Sequence, residues 1–578
     1  MHETDAKSSR IIIRGNRSGR EMQRIDLDDT CRVGNVYACY AEGLPAYDLS
    51  YTYIDDGTEV TDKRARAFAV KREYGTRSEG AIPAIIPNSD FDWGDDKRPA
   101  TPYNESIWYL IHVRGFTKSS SSGVKNKGTF EGVTEKIPYL NSLGITALEM
   151  QPVYEFEERE LPSDIKDAAS ISVPPAGRIN YWGYKSGYYF APKGAYAAGE
   201  DACASVKSMV KALHAAGIEV ILQFWFEKNC PESEILEILR YWAAEYHIDG
   251  FRLMGETIPM HAASSDPVLS GLKIVSDHVE GLDDKNKRIA FSADDYLFTI
   301  RKLLKGDEGM VGGSLKLLRA NPSEYGRVNY ITSYRGFTLC DLVSYDRKHN
   351  EENGEDGRDG NDFNFSWNCG EEGPTRKKKV RDLRIRQIKN ALSLIMLGAG
   401  TPEIFMGDEF ANSQKGNNNP YCLDNAVTWL DWKDAAKNSD ITDYFRFLVT
   451  TRRDNPIIHM PSELTLMDRE SCGYPDLSYH GESAWKANTE SFSRSFGLMY
   501  CGAYASGEGK ITSEDAAESL LYIGVNMHWD VRKLALPKLP KGYRWTLISS
   551  TGSEPVCDEE NHTISLPSRC ICYYGTSK

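Results

Sequence analysis

The chain has 578 residues, of which 40% are hydrophobic, 26% charged and 11% aromatic. This composition is typical of a folded globular protein, and at roughly 150 residues per domain the length predicts about three or four domains. A formal net charge of −14 argues against a nucleic-acid binder, and the apolar runs fall well short of the roughly 20 residues that cross a bilayer. We therefore expect neither nucleic acid nor a membrane as a partner.

The amino-terminal part of the chain has the pattern of a small β-domain. The first residues, MHETDAKSSRIIIRG, lack the apolar run of a secretory signal, which predicts a cytoplasmic protein. Short alternating runs follow, such as residues 49–53, which precede the turn residues Asp55, Asp56 and Gly57. We expect this β-domain to span residues 1–100.

From residue 107 onward, short apolar strands alternate with helical segments. The predicted strands are IWYLIHV, ALEMQP, GIEVILQFWF, DGFRL, KRIAFS, VNYITS and EIFMG. Between the second and third strands, Ser205 is the expected N-cap of a helix that stops at Gly217. Repeated strand–helix units predict a parallel sheet, and this many favour an α/β (β/α)₈ TIM barrel over residues 101–455. An open, doubly wound sheet is the alternative.

The last part of the chain returns to short strands, as in SLLYIGVNM, YRWTLIS and CICYYG. The helical periodicity fades at about residue 455. We therefore expect a C-terminal antiparallel β-sandwich domain over residues 456–578.

Six segments within residues 100–455 resemble the isoamylase and glycogen-debranching branch of glycoside hydrolase family 13, in the family's order. They are IWYLIHVRGFT, NYWGYKSGYYFAP, VNYITSYRGFTLCDLVSY, NFSWNCGEEGPT, GTPEIFMGDEF and GNNNPYCLDN. The resemblance implies an N-terminal glucan-associated β-module, a TIM barrel and a C-terminal β-sandwich. The first hundred residues resemble carbohydrate-binding module family 48 more weakly.

Active members of this family cleave α-1,6 branch linkages of glycogen or starch by a retaining mechanism, which uses a nucleophilic carboxylate and an acid. A third carboxylate holds the sugar ring, and all three lie at the carboxyl ends of barrel strands. Here the resemblance places Met254 at the nucleophile, Phe291 of the run IAFSA at the acid, and Arg335 at the third carboxylate. None of these side chains can perform the family's chemistry, so no catalytic residue is expected.

Displaced carboxylates are the alternative source of activity. The candidates near the expected strand ends are Asp294, Asp295, Glu256 and Glu227, with Asp249 weaker because the resemblance places it at a non-catalytic aspartate. A working pair, such as Asp294 with Glu256, would need carboxyl groups about 5 Å apart.

Several residues that the resemblance assigns to sugar binding are retained. Tyr184 matches the tyrosine that stacks on the sugar at the cleavage subsite, and Arg252 matches the arginine beside the nucleophile. The remaining candidates belong to a rim loop after the eighth strand and are Asn417, Asn418, Asn419 and Tyr421. Each has a structural alternative, in which Tyr184 and Arg252 pack within the barrel and the asparagines satisfy loop backbone.

These observations predict a non-catalytic isoamylase-like protein that binds α-glucan, such as glycogen, starch or maltooligosaccharide, or that partners an active debranching enzyme. The first alternative is an active α-1,6-glucan debranching hydrolase that uses displaced carboxylates. The second is a barrel that has lost sugar recognition, in which Lys228 and Arg335 attract an anion such as a phosphorylated sugar. No cofactor is expected, and no metal, because Glu227 stands where many relatives have a calcium-binding asparagine. The short link that precedes Trp242 predicts a shallow, open cleft.

Overall fold

A computed structural model describes residues 2–44, 48–69, 73–76, 80–87, 90–159, 178–277, 287–506 and 511–578. Its centre is a closed barrel of eight parallel strands. In chain order these are Trp108–Ile111, Ala147–Met150, Glu219–Phe226, Gly250–Gly255, Lys273–Ser276, Ile289–Ser292, Gly326–Asn329 and Thr401–Phe405. The eighth strand pairs with the first, with Trp108 opposite Glu403. The predicted barrel is confirmed, and the open sheet is wrong.

The fifth strand, Lys273–Ser276, is the one that the sequence pattern misses. It has only four residues, and an apolar run of Ile274 and Val275 is too short to distinguish from a loop. Ile274 pairs with Phe251 of the fourth strand and with Ile289 of the next one. The segment KRIAFS is therefore the sixth barrel strand and not the fifth.

Alternate residues of each strand point into the barrel, as the period of two requires. One interior layer is apolar and consists of Tyr103, Trp108, Ala147, Ile221, Val275, Ala290 and Val328. Two residues further along the strands the interior becomes polar, with Glu149, Gln223, Arg252, Ser292 and Glu403. This alternation decides which side chains reach the mouth of the barrel.

Helices surround the barrel and connect its strands. The helices of the described residues are Val113–Thr117, Phe130–Glu135, Ile137–Leu143, Ala202–Ala215, Glu232–Glu245, Met260–Ser264, Asp294–Lys305, Met310–Arg319, Leu339–Leu342, Lys378–Leu397, Trp432–Lys437, Ser439–Asp454 and Ser513–Glu518. Asp201, not Ser205, caps the fourth of them, because its carboxylate accepts a hydrogen bond from the Ala204 amide at 2.9 Å. Among the described residues, no helix has the length and apolar character needed to cross a bilayer.

Antiparallel sheets precede and follow the barrel. The N-terminal sheets contain the strands His2–Glu3, Ser9–Gly15, Glu21–Leu27, Arg32–Val33, Val36–Tyr37, Leu49–Asp55, Thr58–Val60, Ala67–Phe68 and Ala84–Ile85. The C-terminal sheets contain Leu477–His480, Ser495–Cys501, Leu520–Asn526, Arg532–Ala535, Arg544–Ser550, Val556–Asp558, Thr563–Leu566 and Cys570–Ser577. A two-stranded ribbon, Tyr154–Glu155 with Tyr188–Pro192, extends from the barrel.

Candidate functional site

A cleft of about 1240 Å³ opens at the carboxyl ends of the barrel strands. This is the end at which TIM barrels carry their functional residues. The link between the third strand, which ends at Phe226, and the helix that begins at Glu232 is only residues 227–231. No long loop rises from this link, and the cleft is open on that side.

Met254 lies at the mouth of the barrel, where the resemblance places the nucleophile. Arg252 of the same strand points inward, so Met254, two residues on, faces the cleft. Its side chain is half-buried, and its sulfur accepts a hydrogen bond from the Tyr334 hydroxyl at 3.5 Å. A thioether is a weak acceptor, so this contact is mainly one of packing.

Tyr334 fills the floor of the cleft. It follows the seventh strand and is only 7% exposed. Its ring stacks on Tyr184 with centroids 4.8 Å apart and planes at 25°, and Trp182 packs edge-on at 5.1 Å. The guanidinium carbon of Arg335 lies 5.4 Å from the centroid of the Tyr334 ring, within the range of a cation–π contact. We call Trp182, Tyr184, Met254, Tyr334 and Arg335 the Tyr334 cluster.

Tyr184, the expected sugar-stacking residue, is covered in this structure. It is 3% exposed, and Tyr334 lies against its ring. Its hydroxyl donates a hydrogen bond to Gln223 and accepts one from Gln151 at 3.2 Å. Burial and the neighbouring Tyr334 raise the pKa of Tyr184 well above its ordinary value, so the hydroxyl stays protonated. A sugar can reach this ring only if Tyr334 moves.

Arg252 belongs to a buried ion network inside the barrel. It pairs with Glu149, with Nη2 2.7 Å from Oε2, and also with Glu403, and it donates a hydrogen bond to Ser292. Gln223 donates to Glu149 at 2.5 Å. The guanidinium is thus occupied by protein groups, which matches the structural alternative.

The two carboxylates of this network titrate differently. Burial opposes the charge of Glu149, but the charge and hydrogen bonds of Arg252 outweigh it and lower the pKa of Glu149 below its ordinary range. Burial and the adjacent Glu149 charge raise the pKa of Glu403 well above its ordinary range. As the pH falls, Glu403 therefore takes up a proton before Glu149 does.

Phe291 does not occupy the position expected for the acid. It lies on the sixth strand between the inward-facing Ala290 and Ser292, so its side chain points outward, where it packs against the hydrophobic core. The residue that follows the fifth strand is Asp277, two positions after the inward-facing Val275. Asp277 is exposed and lines the cleft. The Phe291 side chain therefore does not face the cleft, whereas Asp277, which follows the strand that the sequence pattern misses, does.

The displaced carboxylates are spread over the cleft and beyond it. Asp294 lines the cleft, where the Tyr330 hydroxyl donates a hydrogen bond to it. Asp295 instead forms an ion pair with Arg327. Asp249 precedes the fourth strand and accepts a hydrogen bond from the Val220 amide at 2.7 Å, so it lies at the opposite end of the barrel from the mouth.

Two further displaced-carboxylate candidates, Glu256 and Glu227, lie beside Lys228 of the expected anion site. Glu256 and Glu227 line the cleft and are exposed, and Lys228 lies 3.1 Å from Glu256. The positive charge of Lys228 is thus compensated by a carboxylate. With Asp277 and Asp294 on the same walls, the cleft does not concentrate the positive charge that an anionic sugar requires.

The asparagines of the rim loop hold another loop in place. Asn417 donates to Asn353 at 2.7 Å, and Asn419 donates to Asp359 at 2.9 Å. Asn418 is 2% exposed, and its amide donates to the Asn361 carbonyl at 2.7 Å.

Tyr421 belongs to the same loop contact. It is 2% exposed and donates a hydrogen bond to Glu355. Asn418 and Asn419 line the cleft, but the amides of the loop bind mainly to residues 350–364.

Three features of the site escape sequence reasoning, although each leaves a signal. The sequence pattern shows seven strands, whereas a TIM barrel needs eight, so one strand had to be missing from the prediction. Asp277 directly follows that strand, Lys273–Ser276. Glu149 and Glu403 interrupt apolar strands, and a buried carboxylate requires a partner, which Arg252 supplies. The stacking of Tyr334 on Tyr184 has no signal in the sequence, because it depends on how two loops meet.

Comparison with known proteins agrees with this architecture. A family model described as the alpha-amylase catalytic domain matches residues 110–228. Isoamylase 3, chloroplastic, of Oryza sativa subsp. japonica is 32% identical over 564 residues, which cover 80% of this chain and 70% of that protein. The glycogen operon protein GlgX homolog of Mycobacterium tuberculosis is 29% identical and covers 85% of this chain and 78% of its own length.

Solved structures share the fold. The apo pullulanase of Paenibacillus barengoltzii superposes with a TM-score of 0.70 at 17% identity, covering 100% of this chain and 92% of that one. At this identity the likeness concerns the fold alone. Together with the extent of the match to the rice isoamylase, it leads to one conclusion: the chain belongs to the isoamylase and glycogen-debranching branch of glycoside hydrolase family 13.

Proposed function

We propose that this chain is a non-catalytic member of its family that binds α-glucan, such as glycogen, starch or maltooligosaccharide. The observation that carries this proposal is the pair Met254 and Arg335 in contact with Tyr334 at the mouth of the barrel. By the resemblance to the family, these side chains stand where a retaining glycosidase needs carboxylates.

The chemistry of hydrolysis conflicts with these side chains. Retention requires a carboxylate that attacks the anomeric carbon, and the Met254 thioether has no oxygen for this step. The transition state carries positive charge on the sugar ring, and the Arg335 guanidinium would repel it. Asp277 faces the cleft, and of the other carboxylates that line it Asp294 is hydrogen-bonded by Tyr330 and Glu256 is paired with Lys228, so none of them replaces a nucleophile at position 254.

Glucan binding is supported by aromatic surface on the cleft walls. Phe363 is 74% exposed and Phe298 40% exposed, and both line the cleft with the half-buried Trp225. Aromatic faces suit the apolar face of a glucose ring, and this recognition needs no catalytic carboxylate. A related pullulanase from Paenibacillus barengoltzii forms a complex with maltohexaose and α-cyclodextrin.

Two measurements test the proposal. The first is the release of reducing ends from glycogen, amylopectin and pullulan over many hours, beside an active isoamylase as positive control. We expect no release above the blank. Release that disappears in an Asp294→Asn or Glu256→Gln variant would instead support the displaced-carboxylate hydrolase.

The second measurement is affinity electrophoresis in gels that contain glycogen. We expect the wild-type protein to be retarded, and Phe363→Ala to weaken the apparent affinity about fivefold, since one aromatic contact contributes about 1 kcal/mol. Phe492→Ala is the matched control, because Phe492 is 64% exposed but does not line the cleft. Equal retardation of both variants would contradict the proposed role of the cleft.

Three further expectations stay predictions. The first is partnership with an active debranching enzyme, which co-purification with such a homologue would test. The second is a cytoplasmic location. The third is the division of the chain at residues 100 and 455, with an N-terminal domain similar to carbohydrate-binding module family 48.

A further inference from the structure

A side chain of the protein itself covers part of the cleft floor. Tyr334 sits where the carboxyl ends of the barrel strands converge, in contact with Met254 of the fourth strand. Tyr334 is 7% exposed, and the interior residues that line the cleft beneath the mouth, Gln223, Arg252, Ser292 and Glu403, are only 1–7% exposed. The floor is thus closed by the Tyr334 ring together with the packed polar layer of the barrel interior.

Several contacts hold the ring in this position. Tyr184 covers one face, Trp182 meets the edge, and the Arg335 guanidinium lies 5.4 Å from the ring centroid. The loop that carries Tyr334 is itself fixed, because the Gly336 amide donates to the Asn418 carbonyl at 2.9 Å. Opening the floor would require all of these contacts to break together.

The accessible aromatic surface lies higher, on the cleft walls. Phe363 and Phe298 are exposed, whereas Tyr184 and Trp182 at the floor are only 3% and 7% exposed. The Phe363 amide donates to the Asn361 side chain at 2.8 Å, which fixes the backbone that presents this ring. A ligand therefore meets aromatic faces along the walls and a closed surface beneath them.

We propose that Tyr334 determines which part of an α-glucan is recognised: the cleft binds the side of a chain that lies along its walls and excludes a chain end that points toward the barrel axis. The inference rests on the proposed glucan binding and adds to it a preference for internal chain segments. A chain end can enter the floor only in molecules in which Tyr334 has left its contacts. Because such molecules are a small fraction, the apparent affinity for an inserted chain end is reduced by that fraction.

A cyclic glucan without ends provides the test. The dissociation constants of maltoheptaose and β-cyclodextrin, both made of seven α-1,4-linked glucose units, are measured by calorimetry with the full-length protein. For the wild type we expect the two constants to agree within about threefold, since both ligands present only chain sides to the walls. For Tyr334→Ala we expect maltoheptaose to bind about tenfold more tightly, because its end can now enter, and β-cyclodextrin to be unchanged.

Matched variants keep the test decisive. Tyr334→Phe retains the ring and loses the hydroxyl with its contacts to the Met254 sulfur and to Tyr184, so we expect the wild-type ratio of the two constants. Tyr334→His, with a smaller polar ring, serves if the alanine variant does not fold, and we expect it to shift the ratio in the same direction. The unchanged affinity for β-cyclodextrin shows that the walls of each variant are intact.

Two results overturn the inference while leaving glucan binding in place. One is a wild-type protein that binds maltoheptaose more than tenfold more tightly than β-cyclodextrin. The other is a ratio that stays the same when Tyr334 is replaced by alanine or histidine. Failure of every variant and of the wild type to bind either ligand would overturn the proposed function itself.

Discussion

Replacing Arg252 by methionine should destabilise the barrel, because it leaves Glu149 and Glu403 buried without their cation. The guanidinium forms ion pairs with both carboxylates, which are 0% and 3% exposed. Removing one partner of a buried ion pair costs about 3–5 kcal/mol. At about 2.1 cal/mol/K per residue, a barrel of roughly 350 residues has an unfolding entropy of about 0.7 kcal/mol/K. Dividing the loss of about 3–5 kcal/mol by this entropy predicts that the melting temperature falls by about 4–7 °C.

The pH dependence of this loss has a definite sign. In the wild type the pKa of Glu149 is lowered, so its contribution to stability is present above its ordinary pKa of 4.5 and is lost as the pH falls through the lowered value. In Arg252→Met the guanidinium no longer acts on Glu149, and burial, offset only in part by the hydrogen bonds of Gln223 and Glu403, raises the pKa of Glu149, so stability is lost as the pH rises instead. The difference in melting temperature between variant and wild type should therefore shrink toward pH 5.

The assay is thermal unfolding followed by circular dichroism at pH 5 and pH 8. Arg252→Met/Glu149→Gln should recover much of the loss, since a fully neutral group replaces the orphaned charge. Arg24→Met is the control, because Arg24 pairs with Glu21 at the surface, where the two side chains are 48% and 43% exposed, and such exposed pairs contribute little to stability. A loss equal to that of the control, or one that grows toward pH 5, would refute the reasoning.

Two further predictions concern groups away from the cleft floor. His214 lies 2.9 Å from both Asp96 and Asp249. Burial lowers the pKa of His214, but the two carboxylates outweigh burial and raise it above its ordinary value of 6.5. The contribution of His214 to stability is therefore present below pH 6.5 and is lost as the pH rises through the raised pKa, so His214→Gln should lower the melting temperature at pH 6 more than at pH 8. Asn418→Ala should make residues 350–364 more sensitive to limited proteolysis, because each buried hydrogen bond that it loses costs about 1 kcal/mol; proteolysis at the wild-type rate would contradict this role.

The barrel could be predicted because its signal is repeated along the chain. Strands such as Glu219–Phe226 are eight residues long and apolar, and their alternation with helices persists through the whole segment. The strand Lys273–Ser276 is stabilised by pairing with its neighbours rather than by its own composition, and a local pattern cannot reveal it. As a result, Asp277, which follows this strand and faces the cleft, was not among the residues that the sequence analysis singled out.

The site was predictable only where long motifs fix the register. Met254 and Arg335 were identified because matched neighbours such as Gly250 and Gly336 leave no freedom in their positions. The roles of Tyr184 and the rim asparagines were not decidable from sequence. Each residue type suits both sugar binding and internal packing, and the choice depends on contacts between segments far apart in the chain.

The contacts within the Tyr334 cluster bear on how such a protein evolves. Met254 and Arg335 each contact Tyr334, so the effect of changing one member of this group depends on the tyrosine between them. An aspartate restored at position 254 would still face a floor closed by tyrosine, and one restored at position 335 would give up the cation–π contact without supplying a nucleophile. Under the proposed function, no single substitution would therefore bring back hydrolysis, and selection would not favour the first step for its activity. The walls of the cleft would then be free to adapt to binding alone.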